Sequence, residues 1–309
     1  RCPNIPAARK KMMKVYSFGF HHSSSLLSLS NKFFSRVCDH AVASNTTVKI
    51  SISERIMAKL EILSPHPALK LTTKKEIYLI VSDLHIGFEH RFNKEGFNIK
   101  PSITKMLQTL TELIYLYKPD KLLILGDIKS GFSRINKEER RHVPKLMEQV
   151  AEHIEISIIP GNHDGLLKYL LPKEVKLELR ESLIDDTGFL HGHTVPSKKL
   201  AEAKRLVMGH IHPSYSRKGS PLSGRPVWLT LKVKKKLIFK EYEGKDDMIE
   251  VWVMPTFNTE LSTGGLRVFR KKIISPLFRK ISGTVSEALI ITLDGSVIGD
   301  TDSMKYVLQ

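Results

Sequence analysis

Short, mainly apolar runs alternate with helix-like segments in the middle of this chain, and this alternation limits the fold more than any other feature. The apolar runs are residues 77–81, 122–125 and 154–159. Runs of this kind are typical of strands buried on both faces of a parallel sheet. Helical spacing of apolar residues predicts a helix over residues 101–117. A second, more polar helix is predicted over residues 137–153. The βαβαβ order indicates an α/β fold.

The chain becomes richer in strand-like runs after residue 187. Two short apolar runs, 188–190 and 206–208, lead directly into histidines. Three further β runs follow at residues 227–233, 248–254 and 289–293. Asp294-Gly295 then predicts a tight hairpin turn into residues 296–298. The second half of the chain therefore predicts further sheet structure.

Five polar motifs follow apolar runs directly. They are Asp83-Leu84-His85, Gly126-Asp127, Gly161-Asn162-His163-Asp164, His191-Gly192-His193 and Gly209-His210-Ile211-His212. Because sites in open α/β sheets assemble at the carboxyl ends of the strands, these side chains are expected to converge in one cleft. Carboxylates, an amide and imidazoles suit a pair of divalent metals, and paired metals suit hydrolysis of phosphate esters.

Residues 1–56 differ from the rest in composition. They are rich in serine and carry nine Lys or Arg against two acidic residues. An organelle-targeting presequence has this composition; the alternative is translation upstream of a natural start at Met57, which we favour. We predict a basic N-terminal extension, disordered or not native, over residues 1–56 and a single domain over residues 57–309, with its first core strand at residues 77–81.

The net charge of +17 favours a polyanionic partner such as DNA or RNA, although a solvated basic surface is an equal alternative. Cys2 and Cys38 both lie in the predicted extension, so neither a disulfide framework nor a thiolate metal site is expected. This usage predicts a cytoplasmic protein. No apolar run approaches the about 18 residues of a membrane span, so no membrane association is predicted. Nothing in the sequence predicts the oligomeric state.

The chain resembles the calcineurin-like metallophosphoesterases over residues 77–260, the superfamily that includes the Mre11/SbcD nucleases. The finer match is to an archaeal branch of predicted phosphoesterases related to Mre11/SbcD. The residues that carry it are Ser82-Asp83-Leu84-His85-Ile86-Gly87-Phe88-Glu89, Gly126-Asp127-Ile128-Lys129, His210-Ile211-His212-Pro213 and Met254-Pro255-Thr256-Phe257-Asn258. The resemblance implies a β-sandwich flanked by helices (αββα), with a metal site at one edge of the sheets.

The resemblance also implies two metal sites that share one carboxylate. The first would be held by Asp83, His85, Asp127 and His212, and the second by Asp127, Asn162, His191 and His210. Two divalent ions, two carboxylates and a bridging hydroxide leave one net positive charge, which attracts a phosphate. We predict Mn²⁺, with Fe²⁺ and Zn²⁺ as alternatives. His193 is assigned either a backbone contact or a place in the wall of the site.

Roles for the remaining residues follow from the same resemblance. The hydroxide between the metals would attack phosphorus in line, and His163 would protonate the leaving oxygen. Asp164 would hold the His163 ring. Four basic residues after the second motif are candidates for binding substrate phosphates, or else form the polar face of a helix: Lys129, Arg134, Arg140 and Arg141.

The predicted function is therefore dimetal-dependent hydrolysis of phosphodiesters by a nuclease or nucleotide phosphodiesterase. A phosphatase or cyclic-nucleotide phosphodiesterase acting on small molecules is the alternative. A non-catalytic binding scaffold on the same fold is a third hypothesis. Such scaffolds lose metal ligands, whereas every ligand position is filled in this sequence, which argues against it.

Overall fold

The computed structural model describes residues 58–96, 98–178, 180–244, 247–261 and 275–307. The predicted extension over residues 1–56 lies outside the described residues. The part of the chain that is described falls within one compact unit. No helix in that part combines the length and the apolar character that crossing a bilayer requires.

The first sheet has six strands, arranged in chain order from one edge to the other. β3, β4, β5 and β6 run parallel to one another, whereas β1, β2 and β3 are antiparallel. The strands are β1 (Lys59–Ile62), β2 (Leu69–Thr72), β3 (Ile77–Val81), β4 (Lys121–Leu125), β5 (Glu155–Ile159) and β6 (Lys176–Leu177). The predicted parallel strands are thus present.

β1 and β2 were not predicted, and the core begins earlier than expected. Leu69 and Leu71 are fully buried, so β2 is a core strand that precedes Ile77–Val81. Polar residues alternate with these leucines over only four positions, which is too short a pattern to distinguish a strand from a loop.

The second sheet has seven strands in the order β13-β12-β10-β11-β9-β8-β7. β8, β9 and β11 pair in parallel, and the other pairs are antiparallel. The strands are β7 (Glu181–Ile184), β8 (Thr187–Leu190), β9 (Arg205–Met208), β10 (Val227–Lys234), β11 (Met248–Val253), β12 (Glu287–Thr292) and β13 (Val297–Gly299).

Helices cover the outer faces of the two sheets. The described residues form the helices α1 (Glu89–Lys94), α2 (Ile103–Tyr117), α3 (Lys137–Ala151), α4 (Lys235–Ile238) and α5 (Pro276–Ile281), and short 3₁₀ helices at Leu167–Tyr169, Lys198–Leu200, Thr259–Leu261 and Thr301–Tyr306. Leucine and methionine side chains of α2 and α3 pack on the first sheet, and α5 packs on the second. Ile80 and Leu123 meet Phe189 and Trp228 between the sheets. The predicted αββα sandwich is confirmed.

Candidate metal centre

The five motifs lie just beyond the carboxyl ends of parallel strands. β3, β4 and β5 are neighbours in the first sheet, and β8 and β9 are neighbours in the second. The loops after β3 and β4 pair through backbone hydrogen bonds, from the His85 amide to the Asp127 carbonyl (2.8 Å) and from the Ile86 amide to the Ile128 carbonyl (2.8 Å). The Phe257 amide donates to the carbonyl of Ser82 (2.8 Å) and ties the segment after β11 to the same edge.

The first group of candidate ligands consists of Asp83, His85 and His212. His212 Nε2 lies 3.1 Å from Asp83 Oδ1 and 3.2 Å from His85 Nε2. Asp127 Oδ2 lies 3.6 Å from His85 Nε2. These four residues are the first predicted ligand set, and the structure brings them together.

The second group consists of Asp127, His191 and His210. His191 Nε2 lies 3.4 Å from Asp127 Oδ1 and 3.3 Å from Asn162 Oδ1. The second predicted ligand set is thus also assembled. Asp127 directs one carboxylate oxygen toward each group, which is the arrangement that a shared ligand requires.

The spacing of these atoms fits metal ligation. Ligands about 2.1 Å from one ion lie about 3.0–3.4 Å apart, and the separations above are close to this range. His191 Nδ1 donates to the carbonyl of Leu125 (2.8 Å), which leaves Nε2 as the ligand atom. Nitrogen and oxygen ligands suit Mn²⁺, Fe²⁺ or Zn²⁺. The clusters are therefore suited to divalent metals, and the choice of Mn²⁺ remains a prediction.

Five of the seven candidate ligands have a left-handed backbone. The φ angles are 58° for Asp83, 44° for His85, 52° for Asp127, 71° for His210 and 48° for His212. Residues other than glycine adopt this conformation at a cost of about 1–2 kcal/mol each. Such strain concentrates at functional sites, where the surrounding structure holds it in place.

Two glycines allow the motif loops to approach closely. A Cβ at Gly209 would lie 1.8 Å from Ser82 Oγ and 2.3 Å from Asp83 Oδ2. At Gly161 it would lie 2.1 Å from Asp127 Oδ1. Any larger residue at either position would displace a candidate ligand, which explains why both motifs begin with glycine.

Side chains outside the predicted set hold the first motif. Ser82 Oγ donates to Asp83 Oδ2 (2.6 Å), and Thr256 Oγ1 donates to the carbonyl of Asp83 (2.7 Å). Asn258 Nδ2 donates to the carbonyl of Leu84 (2.9 Å). The segment 254–258 carried part of the resemblance without an assigned role. The sequence signal for this positioning role was the presence of polar residues, Thr256 and Asn258, shortly after the apolar run of β11.

His163 lies beside both groups of candidate ligands, but Asp164 does not hold its ring. His163 Nδ1 donates to the carbonyl of Ser130, and Nε2 lies 3.8 Å from Asp127 Oδ2. Asp164 instead accepts from the amides of Ile128 (2.9 Å) and Gly161 (2.8 Å). The predicted role of Asp164 is therefore wrong: its carboxylate joins the loops after β4 and β5, and a backbone carbonyl orients His163.

Lys129 is also not available to a substrate. Its side chain is fully buried, and its ammonium donates to the carbonyls of Gly131 and Phe132. Burial lowers the pKa of Lys129, although neighbouring carboxylates oppose this. The prediction that Lys129 binds phosphate is therefore wrong, because its charge is used to hold the loop after β4. Arg134, Arg140 and Arg141 are exposed, as phosphate binding requires.

His193 lies at the margin of the site, whereas Glu89 joins two helices. The His193 ring is 5.3 Å from that of His191, and its buried Nδ1 has no hydrogen-bond partner among the described residues. It belongs to neither group of candidate ligands. Glu89 is buried and accepts from the amide of Ser102 (2.6 Å), so it links α1 to the start of α2.

The candidate ligands form an electrostatically balanced cluster. Burial alone would raise the pKa of Asp127, but attraction to His191 outweighs it and holds the pKa well below its usual range. Burial would lower the pKa of His191, but Asp127 outweighs it and raises the pKa to about 9. Burial, together with the charge on His191, lowers the pKa of His210 to about 4. Protons on histidine thus neutralise the carboxylates that bound cations would neutralise.

We expect the metal-free protein to lose stability as the pH rises from about 6.5 to about 9. His191 keeps its proton to about pH 9 in the folded chain, whereas an unfolded histidine loses it near pH 6.5. The stabilisation from this proton is complete below pH 6.5 and disappears as the pH passes 9. Thermal unfolding of chelated protein across this range measures it. A metal-free melting temperature that rises with pH would contradict the pairing of His191 with Asp127.

The model of the family described as calcineurin-like phosphoesterase matches residues 78–244, more than half of the chain. The chain belongs to this family. It is accordingly a metal-dependent hydrolase of phosphate esters, and the matched residues include all five motifs. The finer placement in the archaeal branch related to Mre11/SbcD remains a prediction.

Solved structures that match the chain include a nuclease and a phosphoesterase. The Pseudomonas putida nuclease MPE is 17% identical, with a TM-score of 0.40, over 64% of this chain and 87% of that one. The phosphoesterase YfcE from E. coli is 17% identical, with a TM-score of 0.32, over 72% of this chain and 97% of that one. None of the curated proteins searched matches the chain.

Proposed function

We propose that this phosphoesterase hydrolyses phosphodiesters with two divalent metals, as a nuclease or nucleotide phosphodiesterase. The observation that carries the proposal is the pair of ligand clusters joined at Asp127, with His163 beside them. Asp83, His85, Asp127 and His212 would hold one ion, and Asp127, Asn162, His191 and His210 the other. When bound, the ions would supply Lewis acidity and activate water for attack on phosphorus.

The chain itself supplies the proton for the leaving group. His163 Nδ1 donates to the carbonyl of Ser130, so the ring presents Nε2 to the side of Asp127 and the clusters. A proton carried on Nε2 can pass directly to a leaving alkoxide. Burial lowers the pKa of His163, although attraction to Asp127 opposes this shift. The lowered pKa makes the protonated ring a stronger acid.

The proposal is tested by comparing two p-nitrophenyl esters. Full-length protein is stripped with a chelator, reloaded with Mn²⁺, and assayed with bis(p-nitrophenyl) phosphate and p-nitrophenyl phosphate. We expect hydrolysis of the diester to require the metal and to exceed that of the monoester. Diester hydrolysis that persists unchanged in chelator would contradict the dimetal proposal. A strong preference for the monoester would favour the small-molecule phosphatase instead.

Binding of single-stranded nucleic acid should depend on salt through the three exposed arginines. Arg134, Arg140 and Arg141 lie on the loop after β4 and on the first turns of α3. Contacts to about three phosphates give a log–log salt slope of about −2 on single strands. Changing Arg140 and Arg141 to Gln should flatten the slope to about −0.7 without changing hydrolysis of bis(p-nitrophenyl) phosphate. Wild-type protein that binds neither DNA nor RNA at low salt would contradict a nuclease.

A further inference from the structure

An exposed aromatic ring covers one face of His163. The ring centroids of Phe132 and His163 are 3.7 Å apart, and the two planes are inclined by 33°. Phe132 nevertheless keeps 57% of its surface exposed. A phenylalanine with one face on a buried histidine and the rest in solvent leaves apolar surface available for contact at the site.

Buried charged groups hold the loop that carries Phe132. Glu139 is fully buried, and its carboxylate accepts from the amides of Gly131 (2.6 Å) and Asn136 (2.8 Å), at the two ends of the loop. The buried ammonium of Lys129 binds the carbonyls of Gly131 and Phe132 from inside. Because two buried side chains fix this loop, the exposure of Phe132 is a defined feature of its conformation.

The neighbouring loop presents a second exposed apolar residue in a strained conformation. Leu166, three residues after His163, has a φ of 67° and is 47% exposed. The backbone at Gly165 approaches that of Phe132 so closely that a Cβ there would lie 3.1 Å from the Phe132 carbonyl oxygen. Strain of this kind persists where the surrounding structure enforces it, commonly in binding sites.

We propose that Phe132 stacks on the nucleobase of the leaving nucleoside, an inference that rests on the proposed function. His163 would protonate the leaving oxygen, so a ring that lies on His163 is placed on the leaving-group side. An aromatic platform accepts any base, because every base has a π face. Arg134, two residues further along the same loop, is exposed and adds a positive charge that suits a polyanionic substrate. The substrate is then a nucleotide diester whose leaving group carries a base.

The test uses three dinucleotides and four forms of the full-length protein. Thymidylyl-3′,5′-thymidine is compared with two analogues in which one or the other nucleoside is replaced by an abasic tetrahydrofuran residue. The products identify which oxygen leaves. The proteins are the wild type, Phe132→Ala, Phe132→Trp and the control Tyr115→Ala. Tyr115 is 82% exposed on the last turn of α2, which runs back toward the start of β4, at the opposite end of the strands from the motifs.

We expect Phe132→Ala to raise KM for the base-bearing leaving group by about 5–150-fold, the range given by the stacking energy of one base, with little change in kcat. With the analogue that has no base on the leaving side, Phe132→Ala and the wild type should have the same KM. Phe132→Trp should preserve the preference for a base, and Tyr115→Ala should resemble the wild type throughout. Equal melting temperatures would exclude misfolding as the cause.

Two results would overturn the inference while leaving dimetal-dependent hydrolysis of phosphodiesters intact. One is an equal effect of Phe132→Ala on all three dinucleotides. The other is wild-type protein that hydrolyses bis(p-nitrophenyl) phosphate with Mn²⁺ but no dinucleotide. Failure to hydrolyse any diester would instead contradict the proposed function, and the inference with it.

Discussion

Replacing Asp127 with Ala should abolish diester hydrolysis and tight metal binding together. Its two oxygens face different groups of ligands, 3.6 Å from His85 Nε2 and 3.4 Å from His191 Nε2. Removing it also leaves His191 without its main source of attraction. We expect a loss of at least about 10³-fold in kcat/KM, since even one hydrogen bond to the transition state contributes about 10²–10³-fold. Metal analysis and kinetics on the same preparation measure both effects.

Asp302→Ala is the matched control for this change. Asp302 is an exposed carboxylate in the 3₁₀ turn Thr301–Tyr306, outside the motifs, and its loss should leave activity unchanged. Retention of both metals and of activity in Asp127→Ala would refute the shared-ligand arrangement.

Replacing His163 with Ala should lower turnover while leaving both metals bound. Loss of a general acid typically costs about 10²–10⁴-fold, and least when the leaving group needs no proton. Hydrolysis of bis(p-nitrophenyl) phosphate should therefore fall much less than that of an alkyl nucleotide diester. The comparison of the two losses is the decisive measurement, because a structural defect would lower both equally.

His153→Ala provides the control for a lost imidazole, since His153 is exposed at the end of α3 and belongs to no motif. If His163→Ala instead released the metals, His163 would act as a ligand. Its placement near His85 and Asp127 makes this a genuine alternative outcome.

The sequence indicated which candidate ligands come together in the fold, but it did not indicate the contacts that support them. The candidate ligands, among them Asp83, His85 and Asp127, directly follow apolar runs. The carboxyl ends of parallel strands lie at one edge of the sheet, so such positions come together independently of the conformation of the loops. The contact that orients His163 comes from the backbone carbonyl of Ser130, and a carbonyl has no sequence signature. Adjacency in sequence suggested Asp164 instead, yet neighbouring residues in a tight loop point in different directions.

The burial of Lys129 and the presence of the β1–β2 hairpin could likewise not be predicted from the sequence. A lysine beside a metal motif predicts phosphate binding by charge alone, whereas its burial depends on a loop that folds over it. The leucines of β2 alternate with polar residues over four positions, so their burial depends on pairing with β3. Both features are decided by tertiary contacts that no local pattern encodes.

The most direct test of the dimetal centre is the number of ions that the full-length protein binds. Chelated protein is titrated with Mn²⁺ by calorimetry, with the bound metal confirmed by elemental analysis. Two ions per chain are expected for the wild type and none bound tightly for Asp127→Ala. A wild-type protein that binds one ion or none, or an Asp127→Ala variant that still binds two, would contradict a centre built on Asp127.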